Sequence, residues 1–196
     1  MTAPDKAEYK NPMSFRNDKA GYGSAARAMH WASAAFIAVA WLLGTFIDDF
    51  PKSAEPAVLF THMSLGLAIL ALLLSRLAWR FADPAPLPAE TAFSPWSDRL
   101  AILMQWLLYA LLLAAPISGI VLAFARGQPV PIFGLFEIAS PWARDRAFAR
   151  SVKDVHELLT DSVLILASLH AAAALLHHYV LKDATLLRML PRPRRS

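Results

Sequence analysis

Four long apolar runs constrain this chain more than any other feature. They cover residues 25–47, 57–81, 97–124 and 155–181. Each reaches the roughly 20 residues that a helix needs to cross a bilayer. A helix is also the one open-ended backbone form that satisfies its own polar groups in lipid. The expected fold class is therefore all-α, an integral membrane four-helix bundle. Pro and charged residues separate the runs: Asp48 to Lys52 around Pro51, then Asp83 to Pro88, then a longer stretch from Arg126 to Asp154. Only 17% of the 196 residues are charged and 57% are hydrophobic, a balance that suits a lipid-embedded chain. The division expected from these limits is a polar cytoplasmic segment over 1–24, a membrane domain over 25–190 and a basic tail over 191–196.

The chain has no cysteine. That excludes disulfides, iron–sulfur clusters and thioether-linked haem. A metal here must be held by His, Met, carboxylates or a non-covalently bound cofactor. The formal net charge is +4. In a membrane protein such an excess reports topology or anionic lipid, and no nucleic-acid motif accompanies it, so nucleic acid is not an expected partner. With both termini and the second connection on one side, that side carries thirteen Lys and Arg and the other side six. The positive-inside rule then places both termini in the cytoplasm. Five of the six external charges, Arg126, Arg144, Arg146, Arg150 and Lys153, crowd into the loop before the fourth run. Such a cluster can focus a small anion. It can equally be a solvated loop balanced by Glu137, Asp145 and Asp154. Trp31, Trp79, Trp96 and Tyr179 fall near run ends, where interfacial anchors sit.

All six histidines lie in or at the ends of the apolar runs, and ionisable side chains at membrane depth mark function by default. His156 and His170 are 14 residues apart on the fourth run. On a helix that is about 21 Å of rise and about 40° of rotation, so the two rings share a face at two depths. His177 extends the stripe by seven residues. Helix directions pair His62 with His156 near the outside and His30 with His170 near the cytoplasm. Two cross-helix imidazole pairs suit two six-coordinate haems, because imidazole on both axial positions favours electron transfer over ligand binding. Packing histidines or a proton relay are the competing readings. Gly66 lies one turn after His62, where a missing side chain admits a flat macrocycle or simply a neighbouring helix. Arg76 and Arg80, four apart, either anchor the helix by snorkelling or meet haem propionates. His177 either caps the helix end with Lys182-Asp183 or serves a quinone as proton donor.

Several stretches carry a family resemblance. They are Arg27-Ala28-Met29-His30-Trp31, Thr61-His62-Met63-Ser64-Leu65-Gly66, Arg126-Gly127 with Phe133-Gly134-Leu135, and Lys153-Asp154-Val155-His156-Glu157. The longest and most specific runs from Leu169-His170 through His177-His178-Tyr179 to Lys182-Asp183 and Thr185-Leu186-Leu187-Arg188-Met189. Together, over about 22–191, these resemble the bacterial cytochrome b-561 family, and within it the superoxide-oxidising enzymes of the inner membrane. The resemblance implies four membrane helices and two haem b groups. It implies His30, His62, His156 and His170 as iron ligands. It also implies that superoxide is oxidised outside and that ubiquinone accepts the electrons. Lys153 and Arg126 match family positions in the expected anion funnel, with Arg150 beside them, and His177 matches a position near the quinone headgroup. A different expectation from the same features is a haem b electron-transfer subunit of a larger complex, of the kind that anchors hydrogenases. There the basic loop would dock a redox partner protein.

Overall fold

The computed structural model describes residues 14–18, 21–86 and 96–190. Lys6, Lys10, Lys19 and the basic tail over 191–196 lie outside them. Four helices dominate: α1 (Ser24–Thr45), α2 (Glu55–Ala82), α3 (Trp96–Ala125) and α4 (Arg146–Leu176). All four are long and apolar enough to cross a membrane. The bundle is inverted relative to a soluble one. Leu74, Leu103, Trp106, Leu158 and Ile165 are exposed on its outside, as lipid-facing residues are. The interior is a narrow strip of Ala40, Ile69, Leu73, Leu112, Ala115 and Val163. α1 packs chiefly on α2 and α3 chiefly on α4. α2 meets α3 at a smaller seam, and α1 meets α4 at the smallest of the four sides.

Helix ends follow local chemistry. Pro56 occupies the first turn of α2, where its missing N–H costs nothing. α3 stops at Gly127, whose φ of 68° is the left-handed conformation of a Schellman cap. Gly127 N–H donates to the Phe124 carbonyl (2.9 Å) and Gln128 N–H to that of Ala123 (2.9 Å). α4 begins nine residues before its expected start at 155. The Asp145 carboxylate accepts from the N–H groups of Ala147 (2.9 Å) and Phe148 (3.0 Å), which nucleates the helix well before the apolar run opens. The polar first turns hid it from a hydrophobicity argument.

Two small features complete the frame. Between α3 and α4 a hairpin forms from β1 (Val130–Ile132) and β2 (Phe136–Ile138), in antiparallel register with Val130 opposite Ile138. Its turn puts Phe133 and Gly134 at positive φ, as tight hairpin turns require. It sits over the start of α2, where a Cβ on Gly134 would meet Phe60 Cζ at 3.5 Å. At the other end, Asn17 N–H donates to the Asp83 carboxylate (2.8 Å), and Trp31 Nε1–H donates to the Met189 carbonyl (2.8 Å). Residues 14–18 and the chain after α4 are thus tied to the bundle end that holds the start of α1 and the end of α2.

Candidate functional site

Four histidines meet as two pairs. His62 of α2 faces His156 of α4, and His30 of α1 faces His170 of α4. In both pairs the ring centroids are 6.2 Å apart, with the ring planes crossed at 83° and 65° respectively. Two metal–nitrogen bonds of about 2 Å, plus about 1.1 Å from each nitrogen to its ring centre, give roughly 6.2 Å. The spacing is therefore that of two imidazoles on opposite sides of one metal ion. No group of three or more His, Asp or Glu converges among the described residues. Isolated pairs suit a metal that brings its own equatorial ligands.

The His62–His156 pair is oriented by backbone. His62 Nδ1–H donates to the Ala40 carbonyl at 2.8 Å. His156 Nδ1–H is shared between the Ala115 carbonyl (3.1 Å) and Ser118 Oγ (2.9 Å), while the Ser118 hydroxyl donates to the same Ala115 carbonyl (2.8 Å). Both acceptors lie four residues before a glycine. A Cβ on Gly44 would stand 2.8 Å from His62 Cε1, and one on Gly119 would stand 3.2 Å from His156 Cε1. The two glycines clear the approach of each ring to its carbonyl, and each ring is left with Nε2 for a metal. Sequence reasoning missed Ala40, Gly44, Ala115, Ser118 and Gly119. Their signal, a glycine one turn after a small residue on a neighbouring helix, is visible only once the helices are paired.

The His30–His170 pair is built differently. Arg76 Nη2 lies 3.4 Å from His30 Nδ1, and its guanidinium stands 5.9 Å from the Tyr109 ring centroid. His170 has no hydrogen-bond partner among the described residues. Beside Arg76 an open cleft is lined by Tyr22, Arg76, Trp79, Arg80, Asp83 and Tyr109, among others. Trp79 Nε1 is buried there with no hydrogen-bond partner among the described residues. Burial pushes the Tyr22 phenol above its usual pKa against the opposing charge of Arg80, so it stays a donor. The lining is rich in donors, and its Asp83 carboxylate already accepts from Asn17 N–H, so the cleft around Arg76 and Arg80 suits an acceptor-bearing anion.

The basic residues expected outside are not all in a loop. Arg146, Arg150 and Lys153 occupy the first turns of α4, Arg126 directly follows α3, and Arg144 alone of the five lies well inside the connection. Lys153 pairs with Glu157 one turn on, at 3.1 Å. Arg126 is close enough to His156 to act on it electrostatically. Arg150 is exposed and makes no ion pair among the described residues. At the opposite end His177 starts a π-helical turn, His177–Leu181. Its Nδ1–H donates to Asp183 Oδ2 at 2.6 Å. Burial pushes the Asp183 carboxyl up, but hydrogen bonds from Thr185 and His177 outweigh it and hold the pKa at about 2.

The family profile described as prokaryotic cytochrome b561 matches residues 21–192. The chain belongs to the prokaryotic cytochrome b561 family. Among similar proteins, a probable superoxide oxidase, CybB, of Yersinia pestis is 38% identical over 85% of this chain and 93% of its own length. Cytochrome b561 homolog 2 of Escherichia coli is 34% identical over 91% and 95%. Cytochrome b562 of Cereibacter sphaeroides is 32% identical over 89% and 97%. Membership makes this a bacterial multi-pass membrane protein of the haem b class, with an electron-transfer or oxidoreductase role. The residues present fit such a cofactor. A cytochrome b561 needs imidazoles at metal-bridging distance, and two pairs stand at 6.2 Å. It also needs room for a flat ring, and a Cβ on Gly66, one turn from His62, would meet nothing within 4 Å.

Proposed function

We propose that this cytochrome b561 is a superoxide:ubiquinone oxidoreductase of the bacterial inner membrane, holding two haem b groups and oxidising superoxide on the periplasmic side. The observation that carries the reading is the repeated 6.2 Å imidazole spacing at two depths along one helix. His62 with His156 would hold the outer iron, and His30 with His170 the inner one. Each haem supplies a one-electron ferric/ferrous couple. Overall, two superoxide anions become dioxygen while one ubiquinone takes up two electrons and two protons.

The chain's own residues do the remaining work. Both termini are cytoplasmic in this reading, so the start of α4 faces the periplasm. Lys153, Arg150 and Arg126 there attract the superoxide anion, an effect that acts on encounter rate and weakens with salt. Arg150 carries more of this field than Lys153, whose charge is partly compensated by Glu157. At the cytoplasmic end Arg76 and Arg80 receive haem propionates, supported by the donor-rich cleft around them. His177 presents Nε2 to the quinone headgroup while Asp183 fixes its other nitrogen. The relative of Yersinia pestis named a probable superoxide oxidase supports the choice of substrate.

The test is pulse-generated superoxide with purified protein, following haem reduction optically and then its reoxidation by added ubiquinone. Reduction faster than spontaneous dismutation, followed by quinone-dependent reoxidation, is the expected result. Haems that stay oxidised through the pulse would refute the substrate assignment. A pyridine haemochrome count of two per chain is expected. Copurification of a soluble redox subunit, with no response to superoxide, would instead indicate the haem-bearing subunit of a larger complex.

A further inference from the structure

The two histidine pairs are chemically unequal, and the inequality has a direction. Around the outer pair every hydrogen-bond partner of the ring Nδ1 atoms among the described residues is an acceptor: the Ala40 carbonyl for His62, the Ala115 carbonyl and Ser118 Oγ for His156. Giving Nδ1–H to a carbonyl makes the imidazole more electron-rich at Nε2, which favours the oxidised form of a bound metal. Around the inner pair no such acceptor is found among the described residues. His30 instead has the Arg76 guanidinium 3.4 Å from Nδ1. Arginine has donors only, so it cannot play the part of Ala40 or Ala115. What it brings is a fixed positive charge inside the bundle, where screening is weak and a cation favours the reduced, less positive metal.

We propose that these contacts set the reduction potentials of the two sites apart. The Ala40 and Ala115 carbonyls lower that of the outer site, and Arg76 raises that of the inner site, so electrons run downhill from the outer face to the inner one. Arg76 is on this account a positioning and tuning residue that acts through His30. The sign survives if Arg76 also meets a propionate, because removing the guanidinium then leaves a carboxylate uncompensated. The proposal rests on the two-haem reading above and adds a direction to it. It makes outward electron flow, from quinol to an external acceptor, the uphill direction.

Potentiometric titration of the detergent-purified holoprotein, read from the haem α-bands, tests it without turnover. Wild type should titrate in two one-electron waves at least tenfold apart in equilibrium constant, about 59 mV. Arg76→Gln should lower the upper wave and leave the lower one in place, and Arg76→Lys should keep the upper wave near its wild-type position. Gly119→Ala, whose Cβ would press on His156 Cε1 at 3.2 Å and loosen its bond to Ala115, should raise the lower wave alone. A single unresolved wave, or Arg76→Gln that moves the lower wave or neither, overturns the proposal. If Arg76→Gln does not accumulate, an unmoved lower wave in Gly119→Ala overturns it instead. Shifts as expected in a protein that superoxide cannot reduce would sink the substrate reading and leave this one standing. Superoxide oxidation with unshifted waves would do the reverse.

Discussion

Gly44→Ala is the sharpest perturbation of the outer site, because the structure sets its size. The added Cβ would stand 2.8 Å from His62 Cε1 and 3.2 Å from Nδ1, closer than such atoms come without something moving. The His62 ring must retreat, and its 2.8 Å bond to the Ala40 carbonyl goes with it. Overpacking of this kind costs about 1–3 kcal/mol, and a hydrogen bond about 1 kcal/mol. A combined loss of about 3 kcal/mol weakens haem binding at that site roughly a hundredfold. The fold should not suffer in parallel, since Ala is a better helix residue than Gly by about 1 kcal/mol. Gly119→Ala is the matched control: its Cβ stands 3.2 Å from His156 Cε1, so the ring needs to shift only slightly. It should lose no more than about fivefold in affinity, about 1 kcal/mol. The assay is haem stoichiometry by pyridine haemochrome, combined with the rate of haem transfer to excess apomyoglobin. Gly44→Ala should purify with one haem per chain, or lose one quickly, while Gly119→Ala keeps two. Two firmly held haems in Gly44→Ala would refute the claim that Gly44 makes room for a ligand.

Other outcomes follow from the same geometry. Gly66→Leu should reduce outer-haem content although no protein atom stands within 4 Å of a Cβ there; full haem content would assign Gly66 to helix packing. His170→Ala should leave one haem per chain and stop electron delivery to quinone in the superoxide pulse assay, and two retained haems would refute the inner pairing. Neutralising Lys153 and Arg150 together should slow superoxide-driven reduction about tenfold at low salt and flatten its salt dependence, whereas identical stopped-flow rates across ionic strength would exclude steering. Asp183 is held at about 2, below its unperturbed 3.8. Its stabilising contribution is present above pH 3.8 and lost as pH falls through about 2. Hydrogen exchange of segment 177–185 should therefore stay protected at pH 5 and rise below about pH 3; a rise already at pH 5 would contradict the ionised Asp183.

Much of the fold was legible because lipid leaves few alternatives. Four apolar runs of bilayer length dictate four helices, and the observed ends of the first three fall within two residues of the runs. The start of α4 was not legible, because Asp145 begins it with a capping bond and its first turns are polar. The hairpin was hidden too, since three-residue strands rest on the turn at Phe133-Gly134 rather than on alternation. At the site, the histidines could be paired from helix direction and spacing alone, because a rise of 1.5 Å per residue converts sequence number into depth. Their orienting partners could not. Ala40 and Ala115 act through backbone carbonyls, which every residue has, and only the neighbouring ring singles them out. Arg76 was visible as a basic residue near a membrane edge, but its approach to His30 depends on how α1 lies against α2.

The contacts between helices also bear on what holds the bundle together. Of the four packed sides of the bundle, α1–α4 is the thinnest, and both histidine pairs end on α4. His30–His170 reaches α4 from α1 across the thinnest of the packed sides, and His62–His156 reaches it from α2, which packs on α4 less still. The direct α1–α4 hydrogen bond among the described residues is that of Trp41 Nε1–H to the Asp161 carboxylate, at 3.1 Å. Lipid tails are as apolar as leucine, so the seam gains little from the hydrophobic effect. Ligation of iron by His30 and His170, as proposed, would clamp it, and ligation by His62 and His156 would tie α4 to α2 at a second depth. A ligand that binds only the assembled bundle stabilises that bundle by its binding free energy. Haem held by His30 and His170 would then be a structural element of the α1–α4 seam as well as an electron carrier. The ligand histidines then cannot be exchanged for packing residues without loosening the bundle along that side.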